Sequence, residues 1–179
     1  MVGLIAMDRL GVFGASQNDW QAFDRRAFAV DRVTAGDRIV IRTDDGLATI
    51  RLLGVAAPDA GRSGSAESAA YTQARLAGQS VTLRLEPTQT RDADGVLLAY
   101  AYLSDNDNVN LDLIRDGKAY ADRRAKHTFA SGFEQTENEA RKKNRGLWNG
   151  LRVEDQPAWR QAWLKAFLAE RQAATKPSL

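Results

Sequence analysis

The chemistry-bearing residues of this sequence are unevenly placed. Residues 118–152 carry nine Lys or Arg and four Asp or Glu, a local net charge of +5. Residues 31–117 carry nine basic and thirteen acidic side chains, a local net of −4. Arg123, Arg124, Lys142 and Lys143 belong to the basic stretch. A face of this kind draws phosphates and is the electrostatic footprint of nucleic-acid binding, although a solvated helix surface produces the same pattern. Other chemistry is excluded by what is missing. The chain has no cysteine, so thiolate metal sites, disulfides and cysteine nucleophiles are out. Its one histidine, His127, excludes every site built from two imidazoles. It sits in a polar run, RRAKHTF, and is expected at the surface; as a base it needs a partner that the sequence does not show.

The elements that must position these residues are legible in part. With 179 residues, 44% hydrophobic and 27% charged, the chain has the make-up of one globular domain with extensions. Residues 1–26 lack clean periodicity and are expected to form an irregular or weakly helical extension. Phe28, Val30 and Val33 begin a strand, Gly36-Asp37 turns the chain, and RIVIR at 38–42 alternates with period two. Asp44-Asp45-Gly46 is hairpin chemistry, and the return strand spans 48–55. A helix over 66–77, stopped by Gly78, precedes strands at 80–85 and 96–103. Short helices are expected over 109–116 and 133–145, Trp148 packing the second onto the strands, and a longer one over 155–176. Asp155 would cap that last helix, with Pro157 in its first turn. Its stripe of Trp159, Ala162, Trp163, Ala166 and Phe167 suits docking on the domain's own surface, or a protein partner. Five strands interrupted by one helix and followed by others predict an α+β fold. It is a five-stranded OB-type β-barrel with about three helices plus a C-terminal amphipathic helix. No apolar run approaches the ~18 residues of a membrane span. The N-terminal MVGLIAMDRL is too short in its apolar part for a signal-peptide core. A complete chain is therefore expected in the cytoplasm, and one that has lost a leader in the periplasm or outside the cell.

The order and wording of these segments resemble the staphylococcal nuclease (thermonuclease-like) family over roughly Phe28–Trp148. Where the family has D-G-D-T, this chain has AGDR at 35–38; for R-L-x-G-x-D-x-P-E it has RLLGVAAPD at 51–59. The family's D-x-Y-G-R appears as DADGV at 92–96, followed by Leu98-Ala99-Tyr100. LIRDGKA at 113–119 and the closing A-R-x-x-x-x-G-L-W at 140–148 complete the series. The resemblance divides the chain into an extension, 1–26, a nuclease-like barrel domain, 27–150, and a C-terminal helical extension, 151–179.

The resemblance implies phosphodiester hydrolysis with one Ca²⁺ held by two aspartates and a backbone carbonyl. It also implies a glutamate that helps the attacking water and two arginines on the phosphate. Asp37 stands at the first aspartate position and Arg51 at the first arginine. Ala57 retains the carbonyl, and Asp59 stands at the glutamate position, one methylene shorter, as a catalytic carboxylate and a metal ligand. Ala56 replaces the second aspartate and Val96 the second arginine. Loss of one preorganised donor costs about 10²–10³ in rate, and an arginine in phosphoryl transfer is worth about 10³–10⁵. The resemblance with these losses therefore implies a degenerate site with a weak or lost Ca²⁺ site, retaining a nucleic-acid or protein binding role. The alternative is an active metal-dependent endonuclease with a rebuilt site. On the connection before Val96, Arg91 is the candidate replacement guanidinium, and Asp92 or Asp94 the candidate metal ligand. Tyr120 is the one aromatic near the place where the family stacks a base, in KAYADRRA.

Overall fold

The structure, a computed structural model, describes residues 17–174. The first sixteen residues of the N-terminal extension and the end of the helix expected to reach 176 lie outside the described residues. Strands β1 (Ala27–Ala35), β2 (Arg38–Thr43) and β3 (Gly46–Leu52) form an antiparallel meander. Its register places Ile39 opposite Ile50 and Ile41 opposite Ala48. Alternation then sends Ile39, Ile41, Ile50 and Leu52 into the core, where they are fully buried. The other edge of β1 pairs with β5 (Ser80–Arg84), and β5 pairs with β6 (Leu97–Ser104). A parallel pairing of β3 with β6, Ile50 to Leu97 and Leu52 to Ala99, closes the ring. The result is the expected α+β fold around a closed five-stranded barrel of OB type.

Three shorter strands complete the set: β4 (Val55–Ala56), β7 (Asp107–Asn108) and β8 (Tyr120–Ala121). The return strand expected over 48–55 is thus two pieces, β3 and β4. Gly54, at φ 74°, breaks it in a conformation that only glycine adopts without strain. The described helices are α1 (Gln17–Phe23), α2 (Ser65–Leu76), α3 (Val109–Arg115), α4 (Ala130–Lys142) and α5 (Ala158–Ala174). Helix α1 falls in the extension expected to be irregular or weakly helical, and it is tied to the barrel. Its Asp19 is buried and accepts from Thr90 Oγ1 at 2.8 Å and from Arg91 at 2.9 and 2.7 Å.

Helix α5 docks differently from expectation. It starts after Pro157, and Asp155 pairs with Arg152 at 2.9 Å rather than capping it. The face turned to the domain is centred on Arg160, which is fully buried, with Trp159, Trp163 and Leu164 partly covered beside it. Arg160 donates to both oxygens of the equally buried Glu137 on α4, each at 2.8 Å, and to Gln156 at 2.8 Å. Its guanidinium lies 5.1 Å from the rings of both Tyr120 and Trp148. A Trp/Ala/Phe stripe is the stronger local signal, but a buried arginine with a carboxylate and two aromatic rings outcompetes it. Phe167 and Leu168, past this contact, are exposed.

Candidate active site

Asp37 sits in the β1–β2 turn, fixed from two sides. Helix α2 packs so closely on Gly36 that any side chain there would collide with Ser68, while Thr72 Oγ1 donates to the Gly36 carbonyl at 2.7 Å. The Leu52 N–H donates to the Asp37 carbonyl at 2.9 Å. The carboxylate accepts the Ala57 N–H at 3.2 Å. Burial pushes the Asp37 carboxyl above its usual range; the Ala57 N–H and the Arg51 charge only partly offset it.

Arg51, on β3, projects into a cleft of about 340 Å³ lined also by Gly54, Asp92, Asp122 and Arg124. Its guanidinium lies 3.5 Å from Asp92 and 3.9 Å from Asp122. The turn at 92–95 is held by Asp92 itself, which accepts the Asp94 N–H at 3.1 Å and the Val96 N–H at 2.9 Å. Val96 is half-buried and brings no charge to the cleft. Arg91, the candidate replacement, is pointed elsewhere: it forks onto Asp19 and donates to the Gly95 carbonyl at 2.7 Å. Asp92 is engaged with Arg51, and Asp94 is exposed.

The second guanidinium in the cleft is Arg124. It forks onto Asp122 at 2.8 and 2.7 Å, and its own N–H donates to the same carboxylate at 3.0 Å. Trp159 of α5 lies under it at 4.7 Å. Asp122 raises the affinity of Arg124 for its proton, and Asp37 and Asp59 are within electrostatic reach of the same guanidinium. Asp122 thus bridges Arg51 and Arg124 as a shared counter-charge. Sequence reasoning missed this carboxylate, although an acid two residues before an arginine in Asp122-Arg123-Arg124 was the available signal.

Of the other expected site residues, Asp59 stays within electrostatic reach of Arg124 and the rest are dispersed. Asp59 is exposed on the loop after β4. Ala56 is buried in a small apolar cluster with Tyr120, Ala140 and Trp148. Arg123 is only 11% exposed, held by Glu134 at 2.9 Å and Glu137 at 3.2 Å. Trp163 lies over it at 3.9 Å, so Arg123 serves the α5 contact. Lys142 and Lys143 are exposed at the end of α4. Tyr120, 1% exposed, offers no stacking surface, its ring meeting Trp148 edge-on at 5.5 Å.

The surface position expected for His127 is corrected. Its ring is half-buried over Gly54, edge-on to Phe133 at 5.2 Å, with Nδ1 3.1 Å from the Tyr100 hydroxyl. Tyr100 donates in turn to the buried Glu86 at 2.8 Å. Burial pulls the imidazole below its ordinary range and outweighs the attraction of Glu86.

A Ca²⁺ ion takes six to eight oxygens, several from carboxylates. Asp37 and Ala57 supply a carboxylate and a carbonyl, but the place of the second aspartate is a methyl group packed against aromatic rings. Among the described residues no three acidic or imidazole side chains come together as a metal would require. The residues present do not fit the family's Ca²⁺ cradle.

Residues 49–150 match the family described as staphylococcal nuclease homologue. The chain is 26% identical over 133 residues to a thermonuclease of Staphylococcus hyicus, covering 70% of this chain and 78% of that one. It is 29% identical over 130 residues to an uncharacterized endonuclease of Escherichia coli O157:H7, covering 73% and 80%. The same figures hold for an uncharacterized endonuclease of Escherichia coli. A match over more than half the chain that takes in Arg51, the 92–96 turn and the closing Gly146-Leu147-Trp148, on a barrel closed by β3 and β6, means that this chain belongs to the staphylococcal nuclease homologue family.

Proposed function

We propose that residues 27–150 form a nuclease-like unit in which phosphodiester hydrolysis is weak or absent and nucleic-acid binding persists, with 1–26 and 151–179 as extensions. The observation that carries this reading is the charge balance of the cleft. Arg124 is forked onto Asp122, and Arg51 stands 3.5 Å from Asp92 and 3.9 Å from Asp122, in a place where catalysis needs guanidinium groups without counter-charges to meet developing negative charge. With Ala56 and Val96 at the other two positions, Ca²⁺ affinity is also weak or lost. Binding falls to the basic 118–152 face, chiefly Lys142 and Lys143, because Arg123 and Arg124 are already paired. The exposed Phe167 and Leu168 of α5 are the part of that helix left for a protein partner.

One observation favours the active alternative: Arg124 shares the cleft with Arg51 and takes the role of second arginine if Asp122 releases it. The test is hydrolysis of labelled single-stranded DNA with Ca²⁺, Mg²⁺, Mn²⁺ or EDTA, beside a variant carrying Ala56→Asp, Asp59→Glu and Val96→Arg. A silent wild type that binds the same DNA at low salt is the expected result. Metal-dependent cleavage by the wild type, abolished by Arg51→Ala and Arg124→Ala, establishes the active alternative instead.

A further inference from the structure

Four cations follow one another at the end of α4: Arg141, Lys142, Lys143 and Arg145, all exposed. Among the described residues none of them forms an ion pair with a carboxylate, whereas Arg51, Arg123 and Arg124 each do. Arg145 donates to the Arg115 carbonyl at 3.2 Å, and Arg141 lies 5.3 Å over the Trp148 ring. Beside them opens a cavity of about 570 Å³, between α4 and the 151–156 connection. Asn138, Arg141, Lys142, Trp148, Val153 and Gln156 are among the residues that line it, and its size lies within the range of small-molecule sites.

The walls of this cavity combine two chemistries. Arg141 and Lys142 bring charge, while Val153 is 55% exposed and apolar. Trp148 is 8% exposed, and its indole N–H is buried with no hydrogen-bond partner. A buried donor left unused is costly and unusual in a native structure. Free cations, an apolar wall and a spare donor together match a nucleotide, which has a phosphate, a flat base and carbonyl acceptors.

We infer that this cavity is a nucleotide subsite, with the phosphate on Arg141 and Lys142 and the base against Val153 and the Trp148 edge. The unpartnered indole N–H is the donor for an oxygen of the ligand. The inference rests on the reading of this chain as a nucleic-acid binder, and it places the strand on α4 instead of in the Arg51 cleft.

The test uses the full chain and a fluorescein-labelled ten-residue oligothymidylate at low salt. Three proteins are compared: wild type, Arg141→Ala/Lys142→Ala, and Arg32→Ala/Arg42→Ala, which removes the same charge from β1 and β2. The cavity variant is expected to bind at least tenfold more weakly, and its log–log salt slope to fall by about 0.7, the value for one single-strand phosphate contact. The control should lose less than threefold. Titration of ¹⁵N-labelled protein with thymidine monophosphate should move the Trp148 indole resonance. Wild-type binding with equal losses in both variants and a static indole resonance overturns the site and leaves the binding reading standing. No binding by the wild type removes the binding reading, and the site with it.

Discussion

Arg160→Ala isolates what holds α5 to the domain. The side chain is fully buried, makes three hydrogen bonds of 2.8 Å, and lies between two aromatic rings. Breaking a buried ion pair by removing one partner costs about 3–5 kcal/mol, because the other charge is left uncompensated. Here Glu137 keeps Arg123 at 3.2 Å and the Ala121 N–H at 3.0 Å, which places the cost at the lower end, about 3 kcal/mol. That corresponds to about a hundredfold in the equilibrium between docked and undocked helix. Native-state hydrogen exchange reads it directly: amides of 160–171 should exchange about a hundredfold faster while those of β2 and β3 change far less. The effect should extend to β8, because Glu137 accepts the Ala121 N–H and β8 pairs with β4, Ala56 opposite Tyr120. Arg160→Met with Glu137→Gln should recover part of the loss by removing both buried charges at similar volume. Exchange in α5 altered less than fivefold by Arg160→Ala would refute the account of a buried ion pair as the principal fastening.

Three further outcomes follow from the cleft and its surroundings. Asp122→Asn removes the shared counter-charge of Arg51 and Arg124, so low-salt affinity for single-stranded DNA should rise and the salt slope steepen by about 0.7 per phosphate gained. Stability should change by less than about 1 kcal/mol, since Arg124 is 47% exposed; unchanged affinity would count against the charge-balance argument. Asp37→Asn should raise the melting temperature at pH 7, because burial raises the pKa of Asp37 and its ionised form therefore works against folding; a lower melting temperature would contradict this. For His127 the folded state holds the imidazole below its ordinary 6.5, so the unfolded chain takes up the proton first. Its contribution to stability is therefore complete above pH 6.5 and lost as pH falls through the folded value. An imidazole titration by NMR at or above 6.5 would reverse that sign.

The barrel was legible because its signals are local. Alternation in RIVIR, the Asp-Asp-Gly turn and the stop at Gly78 each act within a few residues, and they set β2, β3 and the end of α2. What escaped the sequence depends on partners far along the chain. Arg91 looked free on its connection, but Asp19 is 72 residues away in sequence and sits on a helix with no periodic signature. His127 looks solvated among charges, yet the hydroxyl beside it is 27 residues earlier and the carboxylate that fixes that hydroxyl, Glu86, lies on the connection after β5. On α5 the apolar stripe located the docked face through Trp159 and Trp163 but not its centre, because a helical pattern treats arginine as surface. Only Glu137, 23 residues upstream, makes Arg160 the inward residue. The family motifs located Asp37, Arg51 and the two replaced positions, but Asp122 stands outside every motif, and its role appears only when β8 brings it beside Arg51.

That one carboxylate decides how the whole surface works. Arg51 and Arg124 face Asp92 and Asp122 in formal balance, and Asp37 and Asp59 add two negative charges nearby. A phosphodiester entering the cleft meets guanidinium groups that are already countered, Arg124 at 47% and Arg51 at 26% exposed with Asp122 and Asp92 more deeply buried behind them. Catalysis by preorganised charge requires the opposite, donors already aimed and free of counter-charges, since reorganisation during reaction adds directly to the activation barrier. The cations at the end of α4 carry no such encumbrance, and their field extends about 10 Å into solvent at 0.1 M salt. Under the proposed binding role, a strand approaching this protein is drawn to α4 in preference to the Arg51 cleft. The proposed function thus separates two tasks that one cleft serves when both arginines are free, placing binding on α4 and leaving the Arg51 cleft to whatever chemistry remains.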